Sequence, residues 1–146
     1  MLRAPAAAAA LALLVCSGPA RAVDYIWQAG DGLWTDSGRW TLLGVPGAGD
    51  TATINHTGTG TVLLNGSYQV DRLTMNAGAK LGGTGSLVAG SLEFNAGTLL
   101  TAPFQTGGTL TVLGSTTFNG ADNQALLWSH QLHLLGDSSW TAGNGR

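Results

Sequence analysis

Chemistry needs particular side chains at particular spacings, and this sequence offers few such sets. His130-x-x-His133 has the composition of a metal-ligand pair, but on a strand an odd separation sends the two imidazoles to opposite faces. They are read as surface histidines, and His56, beside a turn, has no evident partner. Glu93 is the one carboxylate in the repeated part of the chain that could work with another, Asp71, 22 positions earlier. Paired acids divide the acid and base or nucleophile roles in glycoside hydrolysis, while Arg72 beside Asp71 offers a solvated ion pair instead. Gly82-Gly83-Thr84-Gly85-Ser86-Leu87 follows the glycine spacing of a calcium-binding turn, with Ser86 where the ligand carboxylate belongs. Asp24, Asp31, Asp36 and Asp50 cluster in the entry segment, where turn and cap roles explain them. No Gly-x-Ser-x-Gly nucleophile motif occurs, and the single cysteine, Cys16, falls in a segment expected to be removed. The sequence therefore predicts no catalytic cluster, no metal site and no cofactor.

Aromatic residues are the other candidates. Trp27, Trp34 and Trp40 fall within fourteen residues, and two roles compete for them. Their rings could stack on the C–H faces of a sugar, or they could close the open end of a core. The second reading is favoured because they stand at the entrance of the chain, where closure is needed.

These residues must be positioned by what the rest of the chain can fold into. Met1 to Ala22 carries Arg3, an apolar run from Ala6 to Cys16, and the small-x-small signal Ala20-Arg21-Ala22. This reads as a secretory signal peptide cleaved after Ala22. Its apolar run is about half the ~20 residues that a membrane helix needs, so no transmembrane segment is expected. From residue 23 onward the chain holds 22 Gly and 17 Thr, with four basic against eight acidic residues, for a net charge of −4. Such a composition excludes a helical bundle, a disulfide scaffold and a basic nucleic-acid binder. Asn55-His56-Thr57 and Asn65-Gly66-Ser67 match the glycosylation acceptor pattern, although no use of either is expected.

Internal repetition carries the fold. Leu73-Thr74-Met75-Asn76-Ala77-Gly78-Ala79-Lys80-Leu81 recurs 19 positions later as Leu92-Glu93-Phe94-Asn95-Ala96-Gly97-Thr98-Leu99-Leu100. Weaker copies begin at Leu110, leading to Phe118, and at Leu132, leading to Trp140. Each unit alternates apolar and polar residues and then offers Asn and Gly to a turn. One unit exposes an apolar face that it cannot bury alone, and stacking at a period near 20 residues buries it. The expectation is an all-β, right-handed parallel β-helix of about four to six rungs, with Asn76 and Asn95 as a ladder and Gly78 and Gly97 in the turns. An antiparallel β-sandwich is the alternative. A short helix through Ala125, Trp128, Leu132 and Leu135, capped by Asp122, competes locally with a strand, and the surrounding pattern favours the strand. Three segments follow: a signal peptide over 1–22, a Trp-rich cap over 23–55 and rungs over 56–146.

The arrangement Trp27-x-x-Gly30-Asp31-Gly32-x-Trp34-x-Asp36-x-x-x-Trp40, then Gly44-x-Pro46 and Asp50-x-Ala52-x-Ile54, resembles the opening of the passenger region in bacterial autotransporters and related adhesin-like surface proteins. Ser139-Trp140-Thr141-Ala142-Gly143-Asn144-Gly145 is similar to the tryptophan-bearing turn of their repeats. The resemblance implies export to the cell surface or outer membrane, or secretion, with a structural or adhesive role and glycans or surface proteins as partners. An extracellular carbohydrate-binding or carbohydrate-active β-helix using the Trp cluster is the alternative. Those proteins run on into an outer-membrane barrel or a sorting signal, whereas Arg146 falls inside what reads as a fresh rung, so a fragment with a missing continuation is expected.

Overall fold

The computed structural model describes residues 21–28, 30–55, 60–99, 107–119, 124–126 and 131–141. The cleavage signal at Ala20, the apolar run before it, His56 and His130 lie outside these residues, as do Asp122 and Trp128. Among the described residues thirteen strands form: β1 (Asp24–Trp27), β2 (Gly32–Leu33), β3 (Thr51–Ile54), β4 (Val62–Leu64), β5 (Ser67–Met75), β6 (Lys80–Gly83), β7 (Ser86–Phe94), β8 (Gly97–Leu99), β9 (Thr109–Val112), β10 (Thr116–Asn119), β11 (Gln124–Leu126), β12 (Gln131–Leu134) and β13 (Ser138–Thr141). Among the described residues every strand-to-strand pairing is parallel. One sheet runs β1-β3-β5-β7-β10-β13 with β9 and β12 alongside, and a second runs β11-β8-β6-β4-β2. The molecule is a β-solenoid, as the repeat implied, and the antiparallel sandwich is set aside. Gln124–Leu126 and Gln131–Leu134 are strands, not parts of a helix.

Burial shows how each coil is built. In β7 the inward positions are Leu87 and Ala89, then Leu92 and Phe94, so strict alternation slips by one residue at Gly90–Ser91. β5 slips likewise between Val70 and Leu73. Because side chains alternate with period two, such a slip marks a corner between two faces. Each of these nine-residue strands is thus two segments meeting at a bend, the same layout that β9 with β10, and β12 with β13, show as separate strands. Three coils carry all three segments, with β1–β2 and β3–β4 before them and β12–β13 after.

Two columns of residues fix this stacking. Trp27, Ile54, Met75, Phe94, Phe118 and Trp140 are successive register partners, forming an apolar column that is buried from Trp27 to Phe118 and ends on Trp140, which is 60% exposed. The Phe94 and Phe118 rings lie 5.8 Å apart and those of Phe118 and Trp140 4.8 Å apart. At the corner, glycine stacks on glycine: a Cβ on Gly90 would stand 2.5 Å from the Asp71 carbonyl oxygen, on Gly114 2.6 Å from that of Gly90, and on Gly136 2.3 Å from that of Gly114. No real side chain fits at those distances, so the corner requires glycine as a matter of space. Gly78, by contrast, is required by conformation, with φ +80° in the turn after Asn76. Gly97, expected in the equivalent turn, opens β8 instead.

The only polar side chain wholly inside is Thr116, among the described residues. It occupies the inward register position of Leu92, and its hydroxyl has no hydrogen-bond partner.

Candidate functional site

The three entry tryptophans come together as one cluster. Trp40 meets both Trp27 and Trp34 with ring centroids 5.0 Å away, edge to face, and Trp34 stacks on Tyr68 at 5.7 Å. All three are 0% exposed. Their indole N–H groups donate inward, Trp27 to the Gly30 carbonyl (3.1 Å), Trp34 to that of Pro46 (3.4 Å) and Trp40 to that of Trp34 (2.8 Å). Buried tryptophans keep a partner for that donor, and here each finds one. No ring face is open for a sugar to stack on, so the geometry favours closure over a glycan platform at these residues.

Closure includes the backbone. β1 is the first strand of its sheet, and an uncovered edge would present unpaired N–H groups to other chains. Residues 37–43 fold back across that edge, through a single 3-10 turn at Ser37–Arg39 and then a tight turn at Thr41–Leu43 in which Leu42 and Leu43 take φ of +64° and +53°. The Thr41 hydroxyl accepts from the Ile26 N–H at 2.9 Å, and the Arg39 carbonyl from the Gln28 N–H at 2.8 Å. Asp50 holds the return, its carboxylate accepting from the Val23 and Gly47 N–H groups. Asp36 accepts from Leu33 N–H and Asp31 from Thr61 N–H. Three of the four entry aspartates are thus committed to turns and strand contacts. No group of three His, Cys, Asp or Glu suited to a metal forms among the described residues.

The asparagine ladder exists and is longer than the two residues expected. The Asn95 side-chain amide donates to Asn76 Oδ1 at 2.9 Å, and that of Asn119 donates to Asn95 Oδ1 at 2.9 Å. Asn95 also donates to Glu93 Oε1 at 3.3 Å. Asn119 has no Ala-Gly after it to announce it. The signal that finds it is simpler: a column residue followed directly by Asn, as in Ile54-Asn55, Met75-Asn76, Phe94-Asn95 and Phe118-Asn119.

The acid pair that the sequence raised as an alternative, Asp71 with Glu93, is not assembled. Asp71 falls between Val70 and Arg72, which pair with Ala89 and Ser91, whereas Glu93 pairs with Thr74. Three residues along a strand separate the two carboxylates by about 10 Å, and they lie on either side of the corner. His133 is exposed on β12. Gly83 and Gly85 of the glycine-rich turn are pressed against the backbone of Leu64 and Gly66, where a Cβ would come within 2.2 Å. Ser86 spends its hydroxyl on Ser67, 3.0 Å away. Stacking therefore accounts for Gly83 and Gly85. Asn65, of the second glycosylation pattern, accepts from the Tyr68 hydroxyl.

What remains is the outer face of β5, β7 and β10. Ile26, Thr53, Thr74, Glu93, Thr117 and Ser139 follow one another in register across it. Beside Glu93 lies a half-open depression of about 150 Å³, lined by Arg72, Ser91, Leu92, Glu93, Ser115, Thr117 and Asn119. Sequence reasoning weighed Arg72 and Glu93 only against Asp71 and missed this grouping, because Ser115 and Thr117 reach Glu93 through the register, not through any repeat spacing. Comparison with protein-family models, curated proteins and solved structures returned no match.

Proposed function

We propose that this chain is a secreted or cell-surface β-solenoid of the autotransporter-adhesin kind, whose work is structural and adhesive and not catalytic. The observation that carries the reading is the division of labour in each coil. Inward columns of apolar residues and the asparagine ladder supply cohesion, and an outer face made largely of Thr and Ser is left over as contact surface. The covered edge of β1 suits a protein that presents such a face without associating through its first rung. Among the described residues no helix is long and apolar enough to cross a membrane. The signal-like segment of residues 1–22 supports export.

The test is expression of the whole chain in a Gram-negative host, followed by fractionation and mass determination. The reading expects a product beginning at Val23, outside the cytoplasm, that adheres to cell or glycan-coated surfaces. An uncleaved chain retained in the cytoplasm would overturn it. The alternative, a carbohydrate protein that works through Trp27, Trp34 and Trp40, loses support from their complete burial.

A further inference from the structure

We propose that the depression beside Glu93 is a binding site for one multiply hydroxylated sugar ring. This goes beyond the surface-solenoid reading and does not depend on it.

The argument starts from which groups the register brings together. Arg72 pairs with Ser91 across β5 and β7, and Glu93 with Thr117 across β7 and β10, while the Ser115 carbonyl accepts from Leu92 N–H at 3.0 Å. The small Ser91 and Ser115 line the hollow together with the longer Arg72, Glu93 and Asn119, and the Asn119 amide is fixed on Asn95 Oδ1 at 2.9 Å. The hollow's volume of about 150 Å³ lies below the roughly 300–1,000 Å³ of sites for drug-sized ligands, so it takes one ring at most and no folded partner.

Its chemistry narrows the ligand class. Arg72 brings donors only, Glu93 in its ionised form acceptors only, and Ser91, Ser115 and Thr117 hydroxyls that do either. An anion would meet the Glu93 carboxylate and a cation the Arg72 guanidinium, so neither fits without leaving one charge opposed. A small zwitterion would satisfy both charges and leave the row of hydroxyls unused. A sugar offers several hydroxyls, each donor and acceptor at once, to all five groups. Glu93 is held for this: Asn95 donates to its Oε1 at 3.3 Å, and Asn95 is in turn fixed by Asn76 and Asn119. The carboxylate thus stands on the ladder and not on a free side chain. Thr117 is held similarly, accepting from the Ser139 hydroxyl at 3.4 Å.

The experiment is a titration of the 15N-labelled chain by two-dimensional NMR with glucose, galactose, mannose and N-acetylglucosamine, and with alanine as the zwitterion. A dissociation constant on the order of 1 mM is expected for at least one sugar, as befits an open site without a stacking ring. Shifts should be confined to Ser91, Glu93, Ser115, Thr117, Asn119 and their neighbours. Glu93→Gln should weaken binding about tenfold by removing charge-assisted hydrogen bonds. Ser115→Phe should abolish binding by filling the hollow, and Thr53→Ala, on the same face but outside it, should leave binding unchanged. Each variant's own spectrum reports whether it is folded. No localised shift with any of the four sugars, an unchanged constant in folded Glu93→Gln, or shifts with alanine alone would each overturn the proposal.

Discussion

Asn95→Ala tests how much of the solenoid's cohesion lies in its ladder. Asn95 takes part in three side-chain hydrogen bonds, two at 2.9 Å to Asn76 and Asn119 and one at 3.3 Å to Glu93. A net hydrogen bond contributes roughly 0.5–1.5 kcal/mol, and the longest of these belongs at the low end. Asn76 and Asn119 are half-buried, so water recovers part of what their amides lose. About 2 kcal/mol of destabilisation is expected, or roughly 6–10 °C in Tm for a chain of this size. Thermal and urea unfolding followed by circular dichroism read this directly. Asn95→Asp sharpens the test, since it keeps the shape and the acceptor toward Asn119 but replaces the donor with a charge facing Glu93 and Asn76 Oδ1. Both neighbours disfavour the charged form, so the new carboxyl has a higher pKa folded than unfolded. The penalty is therefore full above the folded pKa and vanishes below the unfolded one, near about pH 4. Relative to Asn95→Ala, the Asp variant should be the less stable at neutral pH and should recover as the pH falls. If Asn95→Ala lies within ~0.5 kcal/mol of the parent, or the Asp variant does not recover, the ladder is decoration on a solenoid held by its apolar columns alone.

Gly114→Ala places a methyl 2.6 Å from the Gly90 carbonyl oxygen, and since that obstacle is backbone the coils must part; a loss of about 1–3 kcal/mol in urea unfolding is expected. Thr116→Val keeps the shape and removes a buried hydroxyl without a partner, so chemical denaturation should show a gain of about 1 kcal/mol. Trp34→Ala empties the space between Trp40 and Tyr68 and should cost ~3–5 kcal/mol, with the remaining tryptophan emission shifting to the red as water enters. An unchanged spectrum there would mean that the cluster does not close the core.

The repeat was legible where the loops were short. β5 and β7 are 19 residues apart in register, and both carry the Leu-x-Φ-Asn-Ala-Gly pattern. From β7 to β10 the offset is 24 residues, and from β10 to β13 it is 22, because loop insertions do not disturb the pairing of inward residues. Stacking constrains the segments and leaves loop length free, so a search for a fixed period fades just where the fold continues. The corner glycines were also present in the sequence, yet their meaning was not. Their spacing follows the register, and the reason for them is an oxygen one rung below that no local pattern contains. The tryptophans could be placed by position alone, since an entry segment rich in large apolar side chains has an open core end to cover. The depression could not be read at all, because its residues come from three coils.

That last point bears on where function can sit in such a molecule. A coil's stability rests on inward columns, ladder amides and corner glycines, and a substitution on the outer face away from these changes little. The face is thus free to vary, and Thr is among the residues that a strand exposed on one side accepts readily. Across the outward column of β3, β5, β7, β10 and β13, hydroxyls occur at Thr53, Thr74, Thr117 and Ser139, and a carboxylate interrupts them once, at Glu93. In the neighbouring column Arg72 stands between Thr51 and Ser91. Cohesion gives no reason for either charge, and each raises the cost of any partner that does not match it. Both line the same hollow. Asp24 heads the column of Arg72 and stands outside the hollow, so charge on this face is not confined to it; what sets the hollow apart is that Arg72 and Glu93 meet there with opposite sign and that the ladder braces the carboxylate.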